Sequence, residues 1–146
     1  MTEALDHLVI HSDCTVVDWQ ELRELIRRAP LGEREVELTK RVFTGSYLCA
    51  FAYRDGHLVG AARAISDGVA SSAIYDVVVD PDYQGRGIGR RVMQFMLDGL
   101  PKSSVMLVSV ARYQPFYKQL GFKKLTTAYM RKESFDAWLR DGYFEE

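Results

Sequence analysis

Three glycines alternate at Gly85, Gly87 and Gly89, and three arginines, Arg86, Arg90 and Arg91, lie among and just after them. With no Cβ atoms in the way, such a loop lets several backbone N–H groups point into one small concavity. An apolar run at helical spacing begins at once, so the loop also opens a helix, whose N-terminal N–H groups and dipole favour an anion. The ligand suited to such a place is a pyrophosphate. The residues exclude two common phosphate loops. A P-loop needs Gly-Lys-Ser/Thr, which is missing. A dinucleotide fingerprint needs GxGxxG inside a parallel βαβ unit, with an acid about 20 residues on. Here the pattern is GxGxG, after elements that read as an antiparallel meander. The remaining alternative is a glycine-rich turn that serves geometry alone, and the arginines and the helix start weigh against it.

The elements that must hold this loop are legible on both sides. Ser72 to Asp80 reads as the strand that enters it, ending at Pro81, and Gly87 to Leu100 as the helix that leaves it. Ile88, Val92, Phe95, Met96 and Leu100 share one face of that helix. Upstream, Leu5 to His11 alternates loosely as an opening strand, and Thr15 to Ala29 predicts an amphipathic helix stopped by Pro30. Glu33 to Phe43 predicts a shorter helix. Tyr47 to Tyr53 and His57 to Ile65 flank Asp55-Gly56, a strong hairpin signal. Downstream, Ser104 to Val110 is a nearly continuous apolar strand, as expected when both faces are covered. Pro115 to Leu120 predicts a short helix stopped by Gly121. Phe122 to Met130 predicts a last strand and Glu133 to Leu139 a closing helix. The order β-α-α-β-β-β-α-β-α-β predicts a mixed α/β (α+β) fold, with a central, mostly antiparallel twisted sheet and helices on both faces. No repeat or linker interrupts the chain, so residues 1–146 are expected to form a single domain.

Composition narrows the class. A chain of 146 residues with 47% hydrophobic and 27% charged residues has the make-up of an ordinary globular domain, large enough for a core without staples. A net charge of -1 gives no pull toward nucleic acid or anionic membrane. Cys14 and Cys49 lack CxxC spacing and have no His-rich neighbourhood, so neither a metal site nor a disulfide framework is expected. His7, His11 and His57 are scattered and read as non-catalytic. The opening MTEALDHL does not read as a signal peptide, and no segment approaches the length of a membrane span. A cytoplasmic location is the expectation.

Gln84-x-x-Gly87-x-Gly89 resembles the Q/R-x-x-G-x-G/A signature of the GNAT superfamily of N-acetyltransferases. Asp80-Pro81-Asp82-Tyr83-Gln84 is similar to the usual lead-in, and Phe116-Tyr117-Lys118-Gln119-Leu120-Gly121-Phe122 resembles the family's FYxxLGF segment. The two motifs lie in order, one helix and one strand apart, and the element order agrees along nearly the whole chain. A narrower likeness runs from Ala64-Ile65-Ser66-Asp67 to Ile74-Tyr75-Asp76-Val77-Val78-Val79-Asp80-Pro81, which resembles plant-type serotonin (arylalkylamine) N-acetyltransferases.

The resemblance implies the GNAT fold, with its sheet splayed at the cofactor site, and acetyl-CoA as co-substrate without a metal. It implies acetyl transfer to a primary amine, a small (aryl)alkylamine by the narrower likeness, through direct attack in a ternary complex. Val77, Val78 and Val79 are then expected along the pantetheine arm, paired by backbone as a strand would pair. Gln84, Gly85, Arg86, Gly87, Ile88, Gly89 and Arg90 are expected at the pyrophosphate. Tyr117 inherits the role of general acid toward the departing sulfur, and also a cofactor contact. A carbonyl-stabilising N–H is expected around Val78. The base is open. Ala73-Ile74-Tyr75 stands where some relatives carry a glutamate, so the choice lies between Asp76, which plain strand alternation sets on the face opposite Tyr75, and a water relay. Asp76 as a structural residue is the competing reading. The family's Asn after the next strand is absent from Ser109-Val110-Ala111-Arg112, where Ser109 or Arg112 would substitute. Trp19, Phe43, Tyr47, Tyr113 and Tyr129 are candidate walls for an amine pocket. Two other classes fit less well: a protein N-acetyltransferase, and a CoA-binding sensor without turnover. Many members dimerise, but no exposed stripe assigns an interface.

Overall fold

The chain combines short helices with strands whose apolar residues face both ways. The computed structural model describes residues 5–145, in two compact units, Met1–Leu107 and Val108–Glu146.

The first unit carries a five-stranded sheet in the order β1-β2-β3-β4-β5: Leu8–His11, Leu48–Arg54, His57–Ser66, Ser72–Val79 and Val105–Leu107. The first three pairings are antiparallel and β4–β5 is parallel. Three helices cover it, α1 (Trp19–Arg28), α2 (Val36–Thr44) and α3 (Ile88–Gly99). Adjacent residues of β3 show that they lie on both faces. Ala61 is buried with Leu22, Leu25 and Ile26 of α1. Its neighbour Gly60 faces α3, and a Cβ there would meet Val92 and Ile88 side chains at 3.3 and 3.4 Å and the Val78 carbonyl at 3.3 Å. Glycine at that point lets α3 sit close on the sheet and bury Ile88, Val92, Met93 and Met96, each contributing roughly 1.5–3 kcal/mol.

The expected helix from Thr15 begins four residues later. Asp18 accepts hydrogen bonds from the N–H groups of Gln20 and Glu21 and caps α1, while Cys14–Val16 forms a separate 3-10 turn capped by Asp13. Trp19 then meets Phe51 edge to face, and both rings lie tilted against Phe43, with centroids 5.8–6.4 Å apart. Cys14 and Cys49, far apart in sequence, bring their sulfurs to 4.0 Å, and burial pushes the Cys49 thiol up to about 12.

The second unit holds α4 (Gln114–Gln119), α5 (Asp136–Arg140) and a cluster of Phe135, Trp138, Tyr143 and Phe144. The strand expected from Phe122 to Met130 is not formed among the described residues. Leu125, Tyr129 and Met130 are exposed and Lys123-Lys124 breaks the alternation, so the segment has neither a paired edge nor a buried face to hold it extended. The strand expected over Ser104 to Val110 is reduced to Val105–Leu107.

Candidate active site

The site is built around β4. Residues Gly60 and Ala61 face Val79 and Val78, whereas Arg63 faces Tyr75. Asp76 and Val77 therefore oppose the single residue Ala62, which is a β-bulge, and Asp76 adopts φ +55°. This corrects the expectation from plain alternation. The extra residue resets the parity of the strand, so Asp76 and Tyr75 meet the same guanidinium: Arg63 donates from Nε to Asp76 Oδ2 at 2.7 Å and lies 5.1 Å over the Tyr75 ring. Arg34, in the segment before α2, takes both oxygens of the same carboxylate, with Nη1 at 2.8 Å from Oδ2. The Asp76 side chain is only 9% exposed. Burial alone would push its carboxyl up, but the hydrogen bonds from Arg34 and Arg63 outweigh that and hold it below the usual carboxylate value.

On its other edge β4 is paired with β5 only from Ser72 to Ile74. From Tyr75 to Val79 that edge has no partner strand among the described residues, so the backbone of Val77, Val78 and Val79 has hydrogen-bonding groups to offer an extended ligand. Their side chains are used differently: Val78 is buried in the core on the α1 face.

The strand leads directly into the loop. Asp80 caps the next turn by accepting from Asp82 N–H at 2.9 Å and pairs with Arg28 of α1 at 2.9 Å. Gln84 folds back, and its Nε2 donates to the Val79 carbonyl at 3.2 Å, tying the loop to the strand end. Gly85 and Gly87 both have positive φ, +77° and +88°, and nothing lies within 4 Å of where a Cβ of Gly85 would stand. Gly87 is the N-cap of α3 and, having no side chain, leaves the N–H groups of Ile88, Gly89 and Arg90 uncapped, the ladder starting with Arg91 N–H to Gly87 O. Arg86, Arg90 and Arg91 are exposed around this helix end. Open space where side chains would stand, free N–H groups and surplus positive charge fit a pyrophosphate such as that of CoA. Ile88 is core, so only its N–H faces that role.

Tyr117 lies in the second unit, on α4. Its ring meets Phe116 and Phe122 edge-on at 5.0 and 6.0 Å. Burial, with Tyr113 nearby, pushes its phenol up to about 12, so it stays protonated at neutral pH. Ser109 donates to the Val110 carbonyl, and Arg112 lies 4.8 Å over Tyr113. Of the five aromatic residues expected as pocket walls, Phe43 is core with Trp19 packed on it, whereas Tyr47, Tyr113 and Tyr129 are exposed.

The family model of the acetyltransferase (GNAT) domain matches residues 23–135, spanning β4, the glycine loop and α4. The chain belongs to the GNAT acetyltransferase family. Members of this family use acetyl-CoA, which suits the β4 edge and loop described above. A GNAT-family acetyltransferase structure from Streptococcus pneumoniae shares the fold at TM-score 0.72, with 22% identity, covering 87% of this chain and 99% of that one. Serotonin N-acetyltransferase 2, chloroplastic, of Oryza sativa subsp. japonica is 32% identical over 120 residues, 77% of this chain and 60% of the rice protein. A histone acetyltransferase of Glycine max is 29% identical over 129 residues, 79% of this chain and 56% of the soybean protein. The GNAT chain thus spans about three-fifths of the length of these relatives. The rice name also corrects the cytoplasmic expectation, because it places that relative in the chloroplast. Composition carries no mark of a compartment, and the lack of a signal-peptide pattern in MTEALDHL does not select the cytosol. Among the described residues no helix is long and apolar enough to cross a membrane, and no three His, Cys, Asp or Glu side chains are placed to hold a metal.

Sequence reasoning missed Arg28, Arg34 and Arg63. Arg28 and Arg34 stand in charged stretches and look there like solvated arginines, whereas Arg63 is the lone charge in the apolar run Leu58 to Ile65, a signal that it needs a partner but not of which one.

Proposed function

We propose that this chain is an acetyl-CoA-dependent N-acetyltransferase that acetylates a primary amine, a small (aryl)alkylamine, by direct attack in a ternary complex. The observation that carries this is the continuity, within one unit, of an unpaired β4 edge with an uncapped helix N-terminus. An extended amide-bearing arm ending in a pyrophosphate matches that succession of groups. Val77, Val78 and Val79 hold the arm, and the N–H groups around Gly85 to Arg90 hold the phosphates. As the amine nitrogen bonds to the acetyl carbon, charge grows on the carbonyl oxygen, and an N–H of the bulged strand near Val78 stabilises it. The C–S bond then breaks, nitrogen loses a proton and sulfur gains one.

Tyr117 is the proposed donor to sulfur. At about 12 it always carries its proton but is a weak acid, so its contribution is a hydrogen bond to the growing thiolate, with the proton following. Both Asp76 oxygens are occupied by guanidinium groups, which favours a water relay for taking the amine's proton. The rice relative's name and the narrower sequence likeness support a small amine. The soybean relative's name supports a second reading, transfer to a protein amine.

The test is release of CoA thiol over a panel of arylalkylamines, polyamines, aminoglycosides and lysine peptides, with the wild-type chain and Tyr117→Phe. The expected result is turnover on one class of small amine, lowered at least about tenfold in the variant. Turnover on peptides alone selects the second reading. Acetyl-CoA binding with no transfer to any amine overturns both and leaves a sensor.

A further inference from the structure

The bulge in β4 is the least regular stretch of the sheet, and the structure gives it an unusual degree of support. A non-glycine residue at φ +55° is held against strain, here by its own side chain. The Asp76 carboxylate is gripped from two directions. Arg34 reaches it from the segment before α2 as a two-pronged fork, and Arg63 reaches it from β3 at 2.7 Å. Arg63 is fixed in turn by Ser46, whose Oγ accepts from Nη1 at 3.4 Å, and by the Tyr75 ring. The side chains of Arg34, Arg63 and Asp76 are 20%, 15% and 9% exposed. The charges do not balance, since two guanidinium groups meet one carboxylate. A buried pair of this kind is poor evidence for stability as such, because hydrophobic residues of similar volume would stabilise the core as well or better. Its distinctive product is geometric: it fixes the φ/ψ of the one residue that sets the register of β4 on one side of the bulge against the other.

We infer that Arg34, Asp76 and Arg63 form a positioning clamp that fixes the bulged backbone of β4, so that the N–H near Val78 is aimed at the acetyl carbonyl, and that Arg34 and Arg63 set the rate of transfer without touching acetyl-CoA or the amine. This rests on the acetyltransferase reading above. The clamp is separate from the phosphate loop, which is held by Asp80, Arg28 and Gln84. Loss of the clamp therefore acts mainly on kcat, loosening the strand backbone near the carbonyl while the loop's hold on the phosphates stays in place.

The experiment uses the full chain as wild type, Arg34→Gln, Arg34→Lys, Asp76→Asn and the Arg34→Gln/Asp76→Asn double variant. It reads kcat and its pH profile, the KM for acetyl-CoA, and hydrogen exchange at the amides of β4. Arg34→Gln is expected to lower kcat about tenfold with the acetyl-CoA KM within about twofold of wild type. The double variant is expected to be no slower than Asp76→Asn alone, since Arg34 acts through Asp76. Arg34→Lys keeps the charge but loses the fork, so it should fold and still lose several-fold in kcat. If Arg34→Gln does not fold, Arg34→Lys decides. Wild-type kcat in Arg34→Lys overturns the clamp. So does an Arg34→Gln enzyme as fast as wild type whose acid limb has moved toward neutral, because freeing Asp76 would then have made a better base. The charged groups that bond Asp76 are Arg34 and Arg63, and Arg63 in turn lies over the Tyr75 ring, so an acid limb that moves in Arg34→Gln and is absent from the Arg34→Gln/Asp76→Asn double variant belongs to Asp76. Should the wild type transfer acetyl to nothing, the enzyme reading fails by itself. Hydrogen exchange then still tests the clamp: faster exchange at Val77 and Val78 in Arg34→Gln upholds it, and unchanged exchange overturns it.

Discussion

The glycine loop and the β4 bulge are adjacent in the chain and built on opposite principles. The loop is a backbone device. Its groups are N–H donors at a helix end, its glycines remove obstructions, and its residues are largely exposed. The bulge is a side-chain device. A buried carboxylate is held by two arginines that stand 42 and 13 positions away in sequence. A backbone device depends on residues that are consecutive, so it leaves a compact signature. A side-chain device draws residues from wherever the fold delivers them.

The largest expected effect tests the side-chain device. Asp76→Ala removes the shared partner of two mostly buried guanidinium groups, and stranding a buried charge costs about 3 kcal/mol or more. Urea unfolding should show a lowered midpoint with an unchanged slope. A pH series sharpens this. The Asp76 carboxyl is held below its ordinary value of 3.8 in the folded chain. Its stabilising contribution is thus fully present above 3.8 and is lost as pH falls below it toward the folded-state value. The gap between wild type and Asp76→Ala should be constant from neutral pH down to that point and shrink below it. A gap that closes well above 3.8 would mean that the arginines do not hold the carboxylate.

The same contrast explains what could be read from the residues alone. Gly85, Gly87 and Gly89 announce the loop, and the Gln84 motif with the Phe116–Phe122 segment identifies the family, because both are local. The five strands of the sheet and the helices on its two faces follow from hydrophobic spacing and from Asp55-Gly56. Asp76 itself was visible, but its direction was not, since a one-residue bulge inverts every inference from alternation. Arg34 stands in a charged run, Glu33-Arg34-Glu35, which gives no local sign of a distant partner. The predicted strand from Phe122 failed for a related reason: strand propensity is local, whereas the partner that makes a strand is not.

Gly87→Ala tests the backbone device, with a smaller effect. At φ +88° an alanine is strained by roughly 1–2 kcal/mol. Its Cβ would meet only Leu5, at 3.6 Å, an ordinary contact, so strain and not collision sets the size. The expected result is a modest loss of thermal stability and a KM for acetyl-CoA raised about tenfold, with kcat little changed. A variant with wild-type KM would mean that the N–H groups of Ile88, Gly89 and Arg90 do not carry the phosphates.

The smallest effect is expected where the two principles meet. Arg28, at the end of α1, donates to Asp80 at 2.9 Å and to Asp82 at 3.2 Å, and so joins a helix to the start of the loop through side chains. Its side chain is 36% exposed and Asp82 79% exposed, and although the Asp80 side chain is only 12% exposed it keeps the Asp82 N–H as a partner, so solvent and salt screen the arginine's end of both pairs. Exposed pairs contribute about 0.2–1 kcal/mol, and Arg28→Ala should fall in that range. Asp80 would still cap Asp82 N–H, and Gln84 would still reach the Val79 carbonyl, so the loop keeps its path. The difference in stability from wild type should fade as salt is raised toward 1 M, where the Debye length is about 3 Å. An Arg28→Ala chain that loses several kcal/mol, or whose acetyl-CoA KM rises as far as that of Gly87→Ala, would show that the loop too is held by distant side chains. The division between the two devices would then not hold.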